Sequence, residues 1–268
     1  VHLILDQSFL PGDDAIMIPK TDDGRVLFIV PWQNKLVVGT TDTLLEEHKL
    51  EPIALEQEIE FILNTTNRYL TKTVTRKDVL SIFAGLRPLA APQEGSEKTK
   101  EISRSHKIIV TPSGLISIIG GKWTTYRKMA QDTVNKAISL RKLPRKRCKT
   151  KKLPIHGYVK KQDMKHHLYL YGSDQKSILK LADENPELAE KLHPRFDFIK
   201  AEIIWAIRFE MARTVEDILA RRVRLLFLDS RAAIEVAPIV AAIAAKELKK
   251  TKAWQTEQVK AFNAIAEQ

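Results

Sequence analysis

The spacing of apolar residues changes partway along the chain, and this change is the strongest constraint on the fold. In the first 118 residues, short β-rich runs are separated by turn-forming residues, as at 15–19, 26–30 and 35–39, and this pattern predicts an antiparallel meander. After residue 152, apolar residues recur three or four positions apart, most clearly from 199 to 226, which predicts helices. The sequence therefore predicts an α+β protein: a mixed or antiparallel sheet with flanking helices, then an α-helical part.

The same patterns place individual elements. We expect a helix over 55–69, strands at 79–83, 107–110 and 115–119, and helical structure over 123–140. Further helices are predicted at 164–171, 177–182 and 256–266. Thr214 and Asp217 have the spacing of a helix-starting capping box. Pro238 predicts a break between helices over 230–236 and 239–248.

A local basic segment accounts for most of the net charge of +11. Residues 141–152 contain eight basic and no acidic residues, so the rest of the chain sums to 11 − 8 = +3. No aromatic side chain interleaves the segment, so bases would have no stacking platform, and nucleic acid is not expected as a partner. The segment is interpreted as a solvated linker, with contact to anionic lipid headgroups as the alternative. We therefore predict three parts: a sheet domain (1–140), a basic linker (141–152) and an α-helical domain (153–268).

Other features restrict the class of protein. Cys148 is the single cysteine, so an internal disulfide is excluded, and no metal site is expected. The uncharged run 236–245 is far shorter than the roughly 20 apolar residues of a membrane-spanning helix. A cytoplasmic protein is predicted. The first residues resemble neither a natural start nor a signal peptide, which suggests a cut inside a longer protein.

The stretch over residues 118–128 has the sequence IIGGKWTTYRK and carries the clearest chemical signal. A strand ends in two glycines and leads into a helix, so free N–H groups should point outward where the helix dipole favours negative charge. Lys122 adds a positive charge, and Thr124 and Thr125 add hydroxyls. The pattern therefore predicts an anion-binding loop, although a simple tight turn has the same local signature.

Residues 120–130 (GGKWTTYRKMA) resemble the flavin-facing loop of FAD-dependent glycerol-3-phosphate dehydrogenases and the related α-glycerophosphate oxidases. Other stretches resemble the same family in order along the chain. They are VHL at 1–3, DGRVLF at 23–28 with PW at 31–32, VGTTD at 38–42, FAGLRPL at 83–89 and ISRSH at 102–106. The helical stretch 202–222 resembles the family's C-terminal cap domain. The resemblance thus covers almost the whole chain.

The resemblance implies a function and its partners. The sheet domain would bind substrate and carry the flavin-facing loop at 118–128, and the helical domain would be a cap. The activity implied is oxidation of sn-glycerol 3-phosphate to dihydroxyacetone phosphate, with hydride passing from C2 to FAD. The electron acceptor, a quinone or oxygen, is left open, as are the oligomeric state, including a homo-oligomer, and peripheral attachment to the inner face of a membrane.

The resemblance also assigns site residues. Arg87 and Arg104 match the positions that bind the substrate phosphate, and Lys122 would contact substrate or flavin. The predicted flavin-contacting residues are Gly120, Gly121, Lys122, Trp123, Thr124 and Thr125. His2 is the candidate catalytic base, whereas Arg87 is the alternative that polarises the substrate oxygen, and the sequence does not separate them.

One departure from the family concerns the cofactor. The Gly-x-Gly-x-x-Gly fingerprint that holds the ADP part of FAD has no counterpart in these residues, so we expect this chain alone to retain no FAD and to be inactive. An N-terminal FAD-binding domain is the expected partner. Ser105 also departs from the acidic residue common in relatives. An alternative function is a helical interaction or oligomerisation module with a basic membrane-surface tether.

Overall fold

The structure is a computed structural model that describes residues 1–47, 49–87 and 106–267. The chain forms two compact units. Val1–Gly85 and Val159–Gln268 form the first unit, and Leu86–Tyr158 form the second. The basic segment 141–152 lies within the second unit, and the predicted division into 1–140, 141–152 and 153–268 stays a prediction.

An antiparallel sheet organises the N-terminal part of the first unit. Its strands are His2–Asp6 (β1), Ile16–Ile18 (β2), Leu27–Trp32 (β3), Lys35–Gly39 (β4) and Ser81–Phe83 (β5). The strand order is β2-β3-β4-β1-β5, and every pair is antiparallel. Strands β2 to β5 fall on the predicted runs, which confirms the sheet of the α+β prediction, whereas β1 was not among the runs predicted from the residue pattern.

The two faces of this sheet differ in burial. Leu3, Leu27 and Ile29 are buried on one face and pack in the same core as Ile62 of helix α1 (Glu56–Thr66). Because side chains alternate along a strand, their neighbours point to the opposite face. There Phe28 is 41% exposed, so the second face is apolar but partly open.

The C-terminal part of the first unit is helical. Its helices are Gln175–Glu184 (α3), Lys200–Phe209 (α4), Leu225–Leu228 (α5), Ser230–Leu248 (α6) and Lys252–Ala266 (α7). The predicted capping box is confirmed. The Asp217 N–H donates to Thr214 Oγ1 and the Thr214 N–H donates to Asp217 Oδ2, each at 3.0 Å. A π-helix, Asp217–Arg222, follows this box.

Two helix predictions were wrong. Helix α6 continues through Pro238 instead of breaking there. The buried residues Val236, Ala237, Val240 and Ala241 lie on both sides of the proline, so core packing on one face offsets the missing hydrogen bond. In place of the predicted helix over 164–171, short 3-10 turns occupy His167–Asp174 on either side of a break at Gly172, whose φ is 53°.

Hydrogen bonds join the sheet to the helical part of the first unit. The Ser81 hydroxyl on β5 donates to the Leu226 carbonyl at 2.7 Å. The Ser230 N–H donates to the Leu80 carbonyl at 3.0 Å. The edge strand β5 is therefore fixed by residues about 145 positions further along the chain.

The second unit contains a hairpin and a helix. Strands His106–Val110 (β6) and Ile116–Gly120 (β7) pair antiparallel, with His106 opposite Gly120. A 3-10 turn, Trp123–Thr125, leads into helix α2 (Tyr126–Leu140). Across both units, none of the described helices is long and apolar enough to cross a membrane.

Candidate active site

His2 begins strand β1 of the first unit, between Gly39 on β4 and Phe83 on β5. Its imidazole stacks on the Phe83 ring, with centroids 5.1 Å apart and planes at 16°. Phe227 of helix α5 meets Phe83 edge-on, with centroids 5.2 Å apart and planes at 82°. The candidate base therefore belongs to an aromatic stack that joins sheet and helix.

The predicted anion-binding loop lies in the second unit. Gly120 ends β7 with a φ of 71°, and Gly121 follows with a φ of 90°. Both values lie in the left-handed region that glycine adopts without steric cost. A Cβ on Gly121 would also lie 2.6 Å from the Met129 sulfur, so a larger residue there would have to displace the end of that flexible side chain as well as adopt the left-handed backbone.

The start of the turn leaves backbone donors available. Thr125 directs both its N–H and its hydroxyl to the Lys122 carbonyl, each at 2.9 Å. The N–H groups of Lys122, Trp123 and Thr124 make no hydrogen bond to any residue that the structure describes. The arrangement suits the oxygens of an anion or of a flavin ring, because N–H groups at a helix start attract negative charge.

The side chains of this loop are exposed. Trp123 has 85% of its surface exposed, and Lys122 and Thr124 are exposed beside it. Within the described part of the chain, Lys122 makes no ion pair. The residues present therefore fit one face of a flat anionic cofactor. They supply two glycines for close approach, a cation, and backbone N–H groups that none of the described residues accepts from.

The remaining predicted site residues are only partly described. Arg87 is exposed and belongs to the second unit, as does the loop, whereas His2 belongs to the first unit. Arg104 lies outside the described residues. Their roles, like those of the loop residues, stay predictions. Among the described residues, no group of three His, Cys, Asp or Glu side chains could hold a metal ion.

Contacts of His106 and Lys128 with Asp132 stabilise the hairpin and helix on either side of the loop, and these contacts were not predicted from the sequence. His106 Nε2 lies 3.2 Å from Asp132 Oδ2 on helix α2, and Lys128 Nζ lies 2.5 Å from the other oxygen of that carboxylate. The hydrogen bond from Lys128, with the weaker contribution of His106, lowers the pKa of Asp132. The four-residue spacing of Lys128 and Asp132 could have predicted their ion pair from the sequence, because residues four apart are neighbours on a helix surface. The contact with His106 needed the hairpin register, which places His106 opposite Gly120.

Comparisons with known proteins define the family. A family described as the C-terminal domain of alpha-glycerophosphate oxidase matches residues 113–257, more than half of the chain. The chain therefore belongs to this family of alpha-glycerophosphate oxidase C-terminal domains.

Individual relatives carry a more specific name. A probable mitochondrial glycerol-3-phosphate dehydrogenase of Dictyostelium discoideum is 38% identical, over 97% of this chain and 44% of the relative. The mitochondrial glycerol-3-phosphate dehydrogenase of Rattus norvegicus is 36% identical, over 97% of this chain and 38% of the relative. The chain thus spans less than half the length of these relatives.

A solved structure with the same enzyme name also matches this chain. The glycerol-3-phosphate dehydrogenase of Bacillus halodurans, complexed with FAD, matches with a TM-score of 0.79 and 27% identity. The match covers 99% of this chain and 55% of the solved chain. The α+β fold and the resemblance to FAD-dependent glycerol-3-phosphate dehydrogenases are both confirmed.

Proposed function

We propose that this chain is the substrate-binding and cap portion of a flavoprotein that oxidises sn-glycerol 3-phosphate to dihydroxyacetone phosphate. The observation that carries the proposal is the turn at Gly120–Thr125, where two left-handed glycines precede a helix start whose N–H groups make no hydrogen bond within the described part of the chain. The FAD-complexed enzyme matched over 99% of this chain supports it. The FAD-binding domain would lie in the portion of the relatives that this chain does not span.

Each group would have a distinct task. Bound FAD would supply the hydride acceptor for substrate C2. The N–H groups of Lys122, Trp123 and Thr124 would hold negative charge on the flavin ring, as an oxyanion hole does. Arg87 and Arg104 would bind the phosphate, because guanidinium pairs with phosphate through two parallel hydrogen bonds.

His2 would take the proton of the substrate C2 hydroxyl. An imidazole ordinarily titrates near neutral pH, so the neutral ring is available as a base. Arg87 is the alternative to His2, and it would polarise the same oxygen in place of a histidine base. The electron acceptor stays open between a quinone and oxygen.

The phosphate assignment can be tested in flavin-loaded protein that contains this chain. We expect Arg87→Ala and Arg104→Ala to lower kcat/KM for glycerol 3-phosphate by about 10- to 100-fold, corresponding to loss of about 1.5 to 3 kcal/mol from a charge-assisted contact. Activity on glycerol, which has no phosphate, should change far less. Arg68→Ala is the matched control, since Arg68 is exposed and pairs with Asp22 at 2.9 Å. Wild-type kcat/KM in both site variants would refute phosphate binding by these arginines.

A second candidate function, attachment to an anionic membrane surface, rests on the segment around 141–152. Its eight basic residues lie beside exposed apolar side chains, namely Leu143 (54% exposed), Leu153 (61%), Ile155 (70%) and Tyr158 (60%). Combined basic and apolar groups strengthen binding to anionic lipid headgroups. Cosedimentation with phosphatidylserine vesicles, abolished by Arg145→Gln with Arg147→Gln, would support it. Equal binding to neutral phosphatidylcholine vesicles would contradict it.

A cytoplasmic location stays a prediction, and the relatives above are named as mitochondrial.

A further inference from the structure

We propose that Gly39 and Phe83 are positioning residues for the His2 imidazole. The inference rests on the proposed function, because it concerns the reaction in which His2 accepts a proton. Neither residue has a reactive side chain, so their effect on the reaction would pass through the histidine.

Hydrogen-bond register aligns one row of residues across the first-unit sheet. The row is Met17, Phe28, Gly39, His2 and Phe83, from β2 to β5. Side chains of directly opposite residues lie on the same face of a sheet. The row therefore presents large side chains on both sides of a gap at Gly39, next to His2.

The gap at Gly39 is filled by the histidine. A Cβ on Gly39 would lie 2.6 Å from His2 Cδ2 and 2.8 Å from the Val1 carbonyl oxygen, well inside the contact distance of about 3.5 Å. The φ of Gly39 is outside the left-handed region, so the backbone conformation does not require glycine. The space beside Gly39 is taken by the His2 ring and by the Val1 carbonyl, so a larger side chain there would have to displace one or both.

Phe83 confines the ring on its other side. The His2 and Phe83 rings stack with centroids 5.1 Å apart, and the Phe227 ring meets Phe83 edge-on with centroids 5.2 Å apart. The Ser81 hydroxyl fixes β5 to the helical part through the Leu226 carbonyl at 2.7 Å. Stacking engages the face of the imidazole, whereas proton transfer uses the nitrogens on its edge. Gly39 and Phe83 can therefore fix the direction of the nitrogens without contacting substrate.

The first test follows the His2 ring signals by NMR in the 268-residue chain, with His2→Gln for assignment. We expect Gly39→Ala to move these signals and Phe83→Leu to remove the ring-current shift that stacking causes. Both should change the pH midpoint of the His2 titration. Gly85→Ala is the matched control, because a Cβ there meets nothing within 4 Å, and its His2 signals should stay at the wild-type positions. Unchanged signals in Phe83→Leu would overturn the proposal, even if Gly39→Ala failed to fold.

The second test measures kinetics in flavin-loaded protein that contains this chain. A misplaced base should lower kcat for glycerol 3-phosphate by about 10- to 100-fold and leave KM within about twofold. Moved NMR signals with wild-type kcat would overturn the positioning role. If the proposed function itself were wrong, the wild-type protein would not oxidise glycerol 3-phosphate, and this outcome is distinguishable from a variant with wild-type kcat.

Discussion

Glu202 shows how strongly burial can change the chemistry of one residue. The residue is 1% exposed, and its carboxyl group accepts hydrogen bonds from the Ile199 N–H at 2.7 Å and the Tyr171 hydroxyl at 3.0 Å. Burial raises the pKa of Glu202 to about 8, although these two donors act in the opposite direction, and the charge of Glu210 adds to the rise. The protonated form is therefore favoured in the folded state at neutral pH.

This raised pKa predicts a loss of stability with rising pH. Below pH 4.5, the ordinary pKa of a glutamate side chain, the Glu202 carboxyl is protonated in both the folded and the unfolded state, and its stabilising contribution is fully present. Between there and about pH 8 only the unfolded state ionises, so the free energy of unfolding falls by at most about 1.4 kcal/mol per pH unit. Glu202→Gln should remove this pH-dependent fall in the free energy of unfolding, measured by urea denaturation from pH 5 to 8. The exposed Glu257→Gln should keep the wild-type slope. Identical slopes in wild type and Glu202→Gln would contradict the prediction.

At the scale of elements, the strands and caps that follow regular sequence patterns were predicted correctly, whereas features that depend on tertiary packing were not. Strand alternation located β3 and β4, and the Thr214 capping box was correct because both signals depend on neighbouring residues. Pro238 was misread, because its local cost is offset by buried side chains on both sides, a tertiary effect. The loop at Gly120–Thr125 was predicted from its glycines, but its support by His106 and Asp132 needed the hairpin register.

The continuous helix α6 gives a second stability prediction. Pro238 is exposed, so alanine there would restore an N–H for the Ile234 carbonyl without disturbing the core. We expect Pro238→Ala to raise the free energy of unfolding by about 1 to 3 kcal/mol, the interior cost of proline less its effect on the unfolded chain. Urea denaturation measures the change. Pro186→Ala is the matched control, since proline suits the first turn of a helix and little gain is expected there. A clear loss of stability in Pro238→Ala would show that the proline supports the helix.

At the scale of the whole molecule, the first unit is discontinuous in sequence. Val1–Gly85 and Val159–Gln268 share it, and the contact between Ser81 and Leu226 joins residues 145 positions apart. Composition and periodicity describe segments a few turns long, so they could not show that the helical part fixes the edge strand next to His2. The stack of His2, Phe83 and Phe227 depends on this long-range contact, and the sequence suggested only its first member.

Under the proposed function, this chain belongs to a protein in which bound FAD oxidises glycerol 3-phosphate. The most direct test is anaerobic addition of glycerol 3-phosphate to flavin-loaded protein that contains this chain, followed by visible absorbance. We predict stoichiometric bleaching of the oxidised flavin by glycerol 3-phosphate, and none by the same concentration of glycerol. A flavin that stays oxidised with glycerol 3-phosphate but is bleached by dithionite would contradict the account.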